Sequence, residues 1–154
     1  MFKTLRFVGI LCAALAFGLT MAHVLERPGK ARLSGAEWLT VQHTFYGGFA
    51  VVGGVAEIAG LLTSLGALPF IRRDRVATLL TWLAALSFAG MLLSYAVGNR
   101  PVNDQVAAWS AGSPPADWMT ARDRWDNAHA VSTVCAATAL VSLLVAVLRN
   151  RSQT

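Results

Sequence analysis

The chain has 154 residues, of which 55% are hydrophobic and 14% charged. Soluble domains are roughly 25% charged, so this apolar surplus excludes an ordinary soluble domain and calls for lipid. Its net charge of +5 is not interleaved with aromatic residues as in a nucleic-acid groove, and nucleic acid is excluded as a partner.

Four windows, residues 5–25, 39–65, 76–97 and 128–148, each supply the roughly 20 mainly apolar residues that cross about 30 Å of hydrocarbon. Without water, each must satisfy its own backbone hydrogen bonds as a helix. The expectation is an all-α, antiparallel four-helix membrane bundle formed by a single domain over residues 1–154, with both termini on one side and a long outer loop between the third and fourth helices.

In the first window, Lys3 and Arg6 precede an apolar stretch ending at Thr20-Met21-Ala22. A cleaved signal peptide shares that pattern and would leave His23 at the N-terminus. We read the window as a retained span, and Leu11 before Cys12 is too large for a lipoprotein site. Ala14, Gly18 and Ala22 form a small-residue stripe suited to close helix contact. Pro28 and Gly29 then stop the helix, and Ser34 with Glu37 forms a capping box for the second.

The second span carries glycines at positions 47, 48, 53, 54 and 60, which let a neighbouring backbone or a ligand approach. Glu57 lies inside it, fourteen residues beyond His43. At 1.5 Å per residue that is about 21 Å, too far to share ligands with the histidines. Glu57 is either a functional carboxylate or a neutral hydrogen-bond donor between helices, protonated or bonded to Thr81 or Thr138. The turn at residues 69–75 makes the second and third spans antiparallel neighbours. Gly90, Ser94 and Gly98 repeat the small-residue stripe on the third span, and residues 99–124 hold Pro101, Pro114 and Pro115 with Trp109 and Trp118.

A cytoplasmic N-terminus puts Lys3, Arg6, Arg72, Arg73, Arg75, Arg149 and Arg151 inside with only Asp74 against them. The outer segments hold Arg27, Lys30, Arg32, Arg100, Arg122 and Arg124, so the bias is seven to six. Because the inner residues hug the span ends, we expect a multi-pass cell-membrane protein with both termini cytoplasmic.

This topology puts His23, His43 and His129 at the outer ends of spans one, two and four. Glu26 and Asp126 stand three residues from His23 and His129, the carboxylate–histidine spacing from which bundle helices assemble metal ligands. His23, Glu26, His43, Asp126 and His129 are therefore the candidate ligands of a transition metal, iron or copper, or of haem. The three histidines are equally candidate catalytic bases. The structural alternative is hydration at the interface, with Asp126 meeting the dipole of the fourth helix. Cys12 and Cys135 sit at different depths, unsuited to a disulfide. There is no CxxC, HExxH, phosphate loop or recognisable Ser-His-Asp arrangement.

Four segments carry a family resemblance: His23-Val24-Leu25-Glu26-Arg27-Pro28-Gly29-Lys30; Trp38, Leu39, Gln42 and Tyr46; Asn99, Pro101 and Asn103 as Asn-x-Pro-x-Asn; and Trp125 with His129. Over nearly its whole length the chain resembles the anthrone-oxygenase-like family of small four-span membrane proteins. Fungal relatives of that family are similar to oxygenases that convert an anthrone to an anthraquinone. The chain departs from the family at Ser132, where members often carry arginine, which puts the activity in question.

The resemblance and the polar outer end together lead to an expected oxidoreductase that uses oxygen on a hydrophobic, aromatic or quinone-like molecule entering from the bilayer. Glu26 and Asp126 would ligate or orient the histidines, Asn99 and Asn103 would tie the long loop over the pocket, and Tyr46, Trp118 and Trp125 would wall it. A metal-dependent and a cofactor-free oxygenase both remain open. The alternatives are a haem- or metal-binding electron-transfer protein and a non-enzymatic small-molecule-binding subunit. Expected partners are membrane lipids, a hydrophobic small molecule and a second copy of the chain. Transport is disfavoured, with one intramembrane carboxylate and no discontinuous helix pair.

Overall fold

The computed structural model describes residues 1–151, with side chains described to residue 149. The fold is all-α. Helix α1 spans Phe2–Lys30, α2 Gly35–Phe45, α3 Gly47–Ile71, α4 Arg75–Ser94, α5 Arg100–Ala108 and α6 Trp118–Arg151, and a π-helical segment, Tyr95–Asn99, joins α4 to α5. Four helical stretches, Phe2–Lys30, Gly47–Ile71, Arg75–Ala108 and Trp118–Arg149, are long and apolar enough to cross a membrane.

Helix α1 packs against α3 and α6, and α4 packs against the same two, closing a four-sided antiparallel bundle. The start of α1 and the end of α6 lie at one end of it. There Phe2 stacks on Phe70 at 5.5 Å and the Arg6 guanidinium donates to the Ala146 carbonyl at 2.7 Å. We call this the turn end, because Arg72, Arg73 and Asp74 join α3 to α4 here. The Asp74 carboxylate caps α4 by accepting from the Val76 and Ala77 amides at 3.1 Å.

Small side chains occupy the core: Ala13, Ala16, Ala84, Ala136 and Ala139 surround Phe88 and Met91. Leu62, Leu79, Leu86 and Val134 face outward, the reverse of a soluble bundle and the pattern of helices that meet backbone to backbone in lipid. The stripe Gly90, Ser94 and Gly98 behaves as expected against α6. A Cβ on Gly90 would lie 3.2 Å from Cys135 Sγ, one on Gly98 would collide with Ala128 Cβ, and the Ser94 hydroxyl donates to the Ala128 carbonyl at 2.9 Å. On α1 the expectation needs correction. Ala14 and Gly18 are exposed and Ala22 is half-buried, with nothing near Gly18, while the packed face is Gly9, Ala13, Ala16, Thr20 and His23.

Three element boundaries also differ. Helix α1 runs through Pro28 and ends two residues later, and Pro69 lies inside α3. The predicted second span, 39–65, is two helices, because the chain bends at Tyr46 (φ −97°, ψ −1°) before Gly47 and Gly48, a glycine pair of the kind that breaks helices. The capping box on α2 forms as expected. The Glu37 amide donates to Ser34 Oγ at 3.4 Å and the Ser34 amide to Glu37 Oε2 at 2.8 Å.

The long loop expected between the third and fourth spans is largely helical. Pro101 sits in the first turn of α5, where its missing N–H is tolerated, and the ladder shifts to π spacing, with the Arg100 amide reaching back to the Tyr95 carbonyl. A proline at 101 also leaves the carbonyl four residues earlier, on Val97, without its helical donor. Arg124 supplies one from α6 at 2.6 Å. Helices α2, α5 and the start of α6 form a second core of Trp38, Leu39, Val102, Val106, Ala121 and Trp125 over the end opposite the termini, the histidine end.

Candidate functional site

A cavity of about 270 Å³ runs from the histidine end toward the middle of the bundle. At the histidine end it is lined by His23 of α1, Tyr46, Phe49 of α3, Asn99, Asn103 of α5, and Trp125 and His129 of α6. Deeper in, Ala16, Thr20, Gly53, Gly54 and Glu57 line it. Gly54 has nothing within 4 Å of where a Cβ would stand, and the nearest atom to a Cβ on Gly53 is Leu19 Cδ1 at 3.9 Å, so this side of α3 is open. Ile58 and Tyr95 also line the cavity and are 52% and 39% exposed, which places one flank of it on the lipid-facing surface beside α3 and the π segment.

The imidazoles of His23 and His129 stack face to face, with centroids 4.1 Å apart and planes 13° apart. Around them, the Trp125 ring stands edge-on at 4.8 Å from His23 and 4.1 Å from His129, and Tyr46 and Phe49 lie 4.8 and 5.1 Å from His23. Nδ1 of both histidines is buried without a hydrogen-bond partner, His23 Nδ1 being 3.5 Å from Glu26 Oε2. Buried polar atoms are rarely left so, and here they border a cavity. Asn99 and Asn103 both hold Trp125, one donating from Nδ2 to its carbonyl at 3.1 Å, the other accepting from its indole N–H at 2.9 Å. These two bonds join α5 and the π segment to α6.

Glu26 organises the rim. Its Oε2 accepts from the Tyr46 hydroxyl at 2.8 Å and pairs with Lys30 Nζ at 2.8 Å. Burial, and then the Glu26 carboxylate, raise the Tyr46 phenol above its usual pKa, so it remains a donor. The Lys30 ammonium, only 5% exposed, lies over the rings of Tyr46 and Trp125 at 4.4 and 4.7 Å. In the sequence Lys30 counts only as an outer-side charge and as the end of the His23–Lys30 segment, not among the expected site residues. Its signal was spacing: His23, Glu26 and Lys30 stand at i, i+3 and i+7 on one helix face.

The other expected site residues are placed differently. His43 is exposed on α2, does not line the cavity, and has Nε2 2.9 Å from the Val106 carbonyl. Trp118 packs on Trp38 at 6.0 Å, outside the cavity lining. Asp126 is buried and faces Arg27, Oδ2 to Nε at 3.8 Å, and Arg27 also donates to Asn127 at 3.0 Å. Glu57 shares the cavity with the histidine pair, and neither expected partner holds it. Thr81 and Thr138 donate instead to Ala77 and Val134 carbonyls at 2.8 Å.

This donor set does not fit a metal or haem. The in-plane lone pairs of two stacked rings lie in near-parallel planes, Glu26 is paired with Lys30, Asp126 faces Arg27 at 3.8 Å with its Oδ1 buried and unpartnered, and His43 is turned to Val106. Among the described residues no three His, Cys, Asp or Glu side chains are grouped as metal ligands. Comparison with family models, curated proteins and solved structures gives no match to this chain.

Proposed function

We propose that the chain is a membrane-embedded, oxygenase-like oxidoreductase acting on a flat, hydrophobic aromatic or quinone-like molecule, with the histidine end on the outer side and both termini cytoplasmic. The observation that carries the reading is the stacked His23–His129 pair, walled by Tyr46, Phe49 and Trp125, in a cavity that reaches the lipid-facing flank. Aromatic walls suit a flat arene, and a membrane-level opening suits a molecule dissolved in lipid. The resemblance carried by His23–Lys30, Asn99-x-Pro101-x-Asn103 and Trp125-x-x-x-His129 points the same way.

In this reading one imidazole of the pair takes a proton from an activated methylene beside the arene, and Asn99 or Asn103 hydrogen-bonds the ring oxygen that gains charge. The carbanion reduces molecular oxygen, and proton return gives a hydroperoxide on that carbon. Loss of water leaves the carbonyl. One oxygen atom is retained, the other leaves as water, and the four electrons given up by the methylene carbon balance the reduction of oxygen. No step requires a metal.

The test uses purified protein in liposomes with anthrone under ¹⁸O₂, following oxygen uptake and the quinone product. One labelled oxygen per product and loss of turnover in His129→Ala are expected. Consumption no faster than in empty liposomes overturns the reading in favour of a binding subunit. An absorption spectrum with elemental analysis of the same preparation tests the absence of haem and stoichiometric metal.

A further inference from the structure

The cavity carries polar groups at both ends. One end has His23, His129, Asn99 and Asn103, and the other has the Glu57 carboxyl, with Ala50, Gly53 and Gly54 of α3 between them and the Thr20 hydroxyl beside them engaged with the Ala16 carbonyl at 2.9 Å. Phe49, in ring contact with His23, fixes the level of the histidine pair on α3, and Glu57 lies eight residues further along the same helix. At 1.5 Å per residue the two polar ends are about 12 Å apart. A lone methylene-bearing ring system with oxygen at one end would leave Glu57 facing apolar surface, a costly arrangement for a carboxyl at mid-bundle depth.

We propose that the ligand is bipolar: a flat polycyclic molecule with an oxygen function at each end of its long axis, the far hydroxyl being read by Glu57. Glu57 is thus a specificity-determining residue and takes no part in the proton transfer. The proposal rests on the cavity being the substrate site of the function above. It explains why α3, which has no other ionisable residue, carries a carboxyl about 15 Å from its start, where helix packing alone gives it no partner.

The probes are 2,6-dihydroxyanthraquinone, whose hydroxyls lie at opposite ends of its long axis, and 2-hydroxyanthraquinone, which lacks one of them. Binding to the full chain in lipid nanodiscs is followed by quenching of tryptophan fluorescence, Trp125 being in the wall. The wild type should bind the dihydroxy probe about tenfold more tightly, the worth of one hydrogen bond to a buried polar group. Glu57→Leu should erase that ratio while binding the monohydroxy probe as the wild type does, and Glu57→Gln should keep part of it. An unchanged ratio in Glu57→Leu, equal weakening of both probes, or no binding of either probe to the wild type overturns the proposal. Two-point binding without anthrone turnover instead defeats the oxygenase reading and leaves the bipolar ligand standing.

Discussion

His43 and His129 were alike in the sequence, each at the outer end of a span, yet only one reaches the cavity. Depth follows from position along a helix, whereas direction around the helix axis depends on which neighbours pack against it. The bend at Tyr46 turned α2, and His43 with it, toward α5. His129→Ala should therefore lower turnover by about 10²- to 10⁴-fold, the usual worth of a general base, and His43→Ala should leave it within a factor of about two. Oxygen uptake on the two variants decides this, and an equal loss in both would restore the three-histidine site. Glu37 offers a pH test far from the cavity. Its bonds to the Ser34 amide and hydroxyl hold its carboxyl below the usual carboxylate range. A group whose folded pKa is depressed stabilises above its unfolded pKa, and that stability is lost as pH falls through the folded value. The thermal midpoint should thus drop between about pH 6 and about pH 3 by more in the wild type than in Glu37→Gln, and equal drops would remove the box from α2 stability.

The four spans were legible because lipid demands long apolar runs, and the Ser34–Glu37 box because its chemistry is local. The bend between α2 and α3 was not, since the apolar run continues through Phe45, Tyr46 and Phe49 and contains no proline. Helix α5 was hidden by Pro101, read as a loop marker when it occupies a first-turn position and Arg124 answers the Val97 carbonyl. The packing face of α1 is not legible in the sequence, because both of its faces carry small residues and only the partner helices choose between them. Substitutions separate the two kinds of glycine. Gly60→Ala and Gly98→Ala should each cost about 1 to 3 kcal/mol, because the new methyl meets the Phe88 ring or the Ala128 Cβ, while Gly18→Ala should cost nothing measurable or stabilise. Thermal unfolding in detergent measures all three, and a tolerant Gly98 would mean that the π segment and α6 can separate there.

For the molecule as a whole, the four long helices give a multi-pass architecture, and the sidedness proposed for it rests on the arginines of the turn end. Reporter fusions at Asp74 and Ser113 should report opposite sides, with Asp74 cytoplasmic. Reporters on the same side would break the four-span reading, and reversed sides would invert the orientation. The rim has a consequence for how any affinity is to be expressed. Lys30, pinned by Glu26 and lying across Tyr46 and Trp125, occupies the polar mouth beneath the α2–α5 core, and the part-exposed lining at Ile58 and Tyr95 is on the hydrocarbon side. A molecule arriving there is counted in moles per mole of phospholipid, because the solvent it leaves is the acyl chain. Doubling the lipid at fixed protein and fixed total ligand should halve subsaturating occupancy as though the sample had been diluted, while doubling the buffer volume should leave it unchanged for a strongly partitioned ligand.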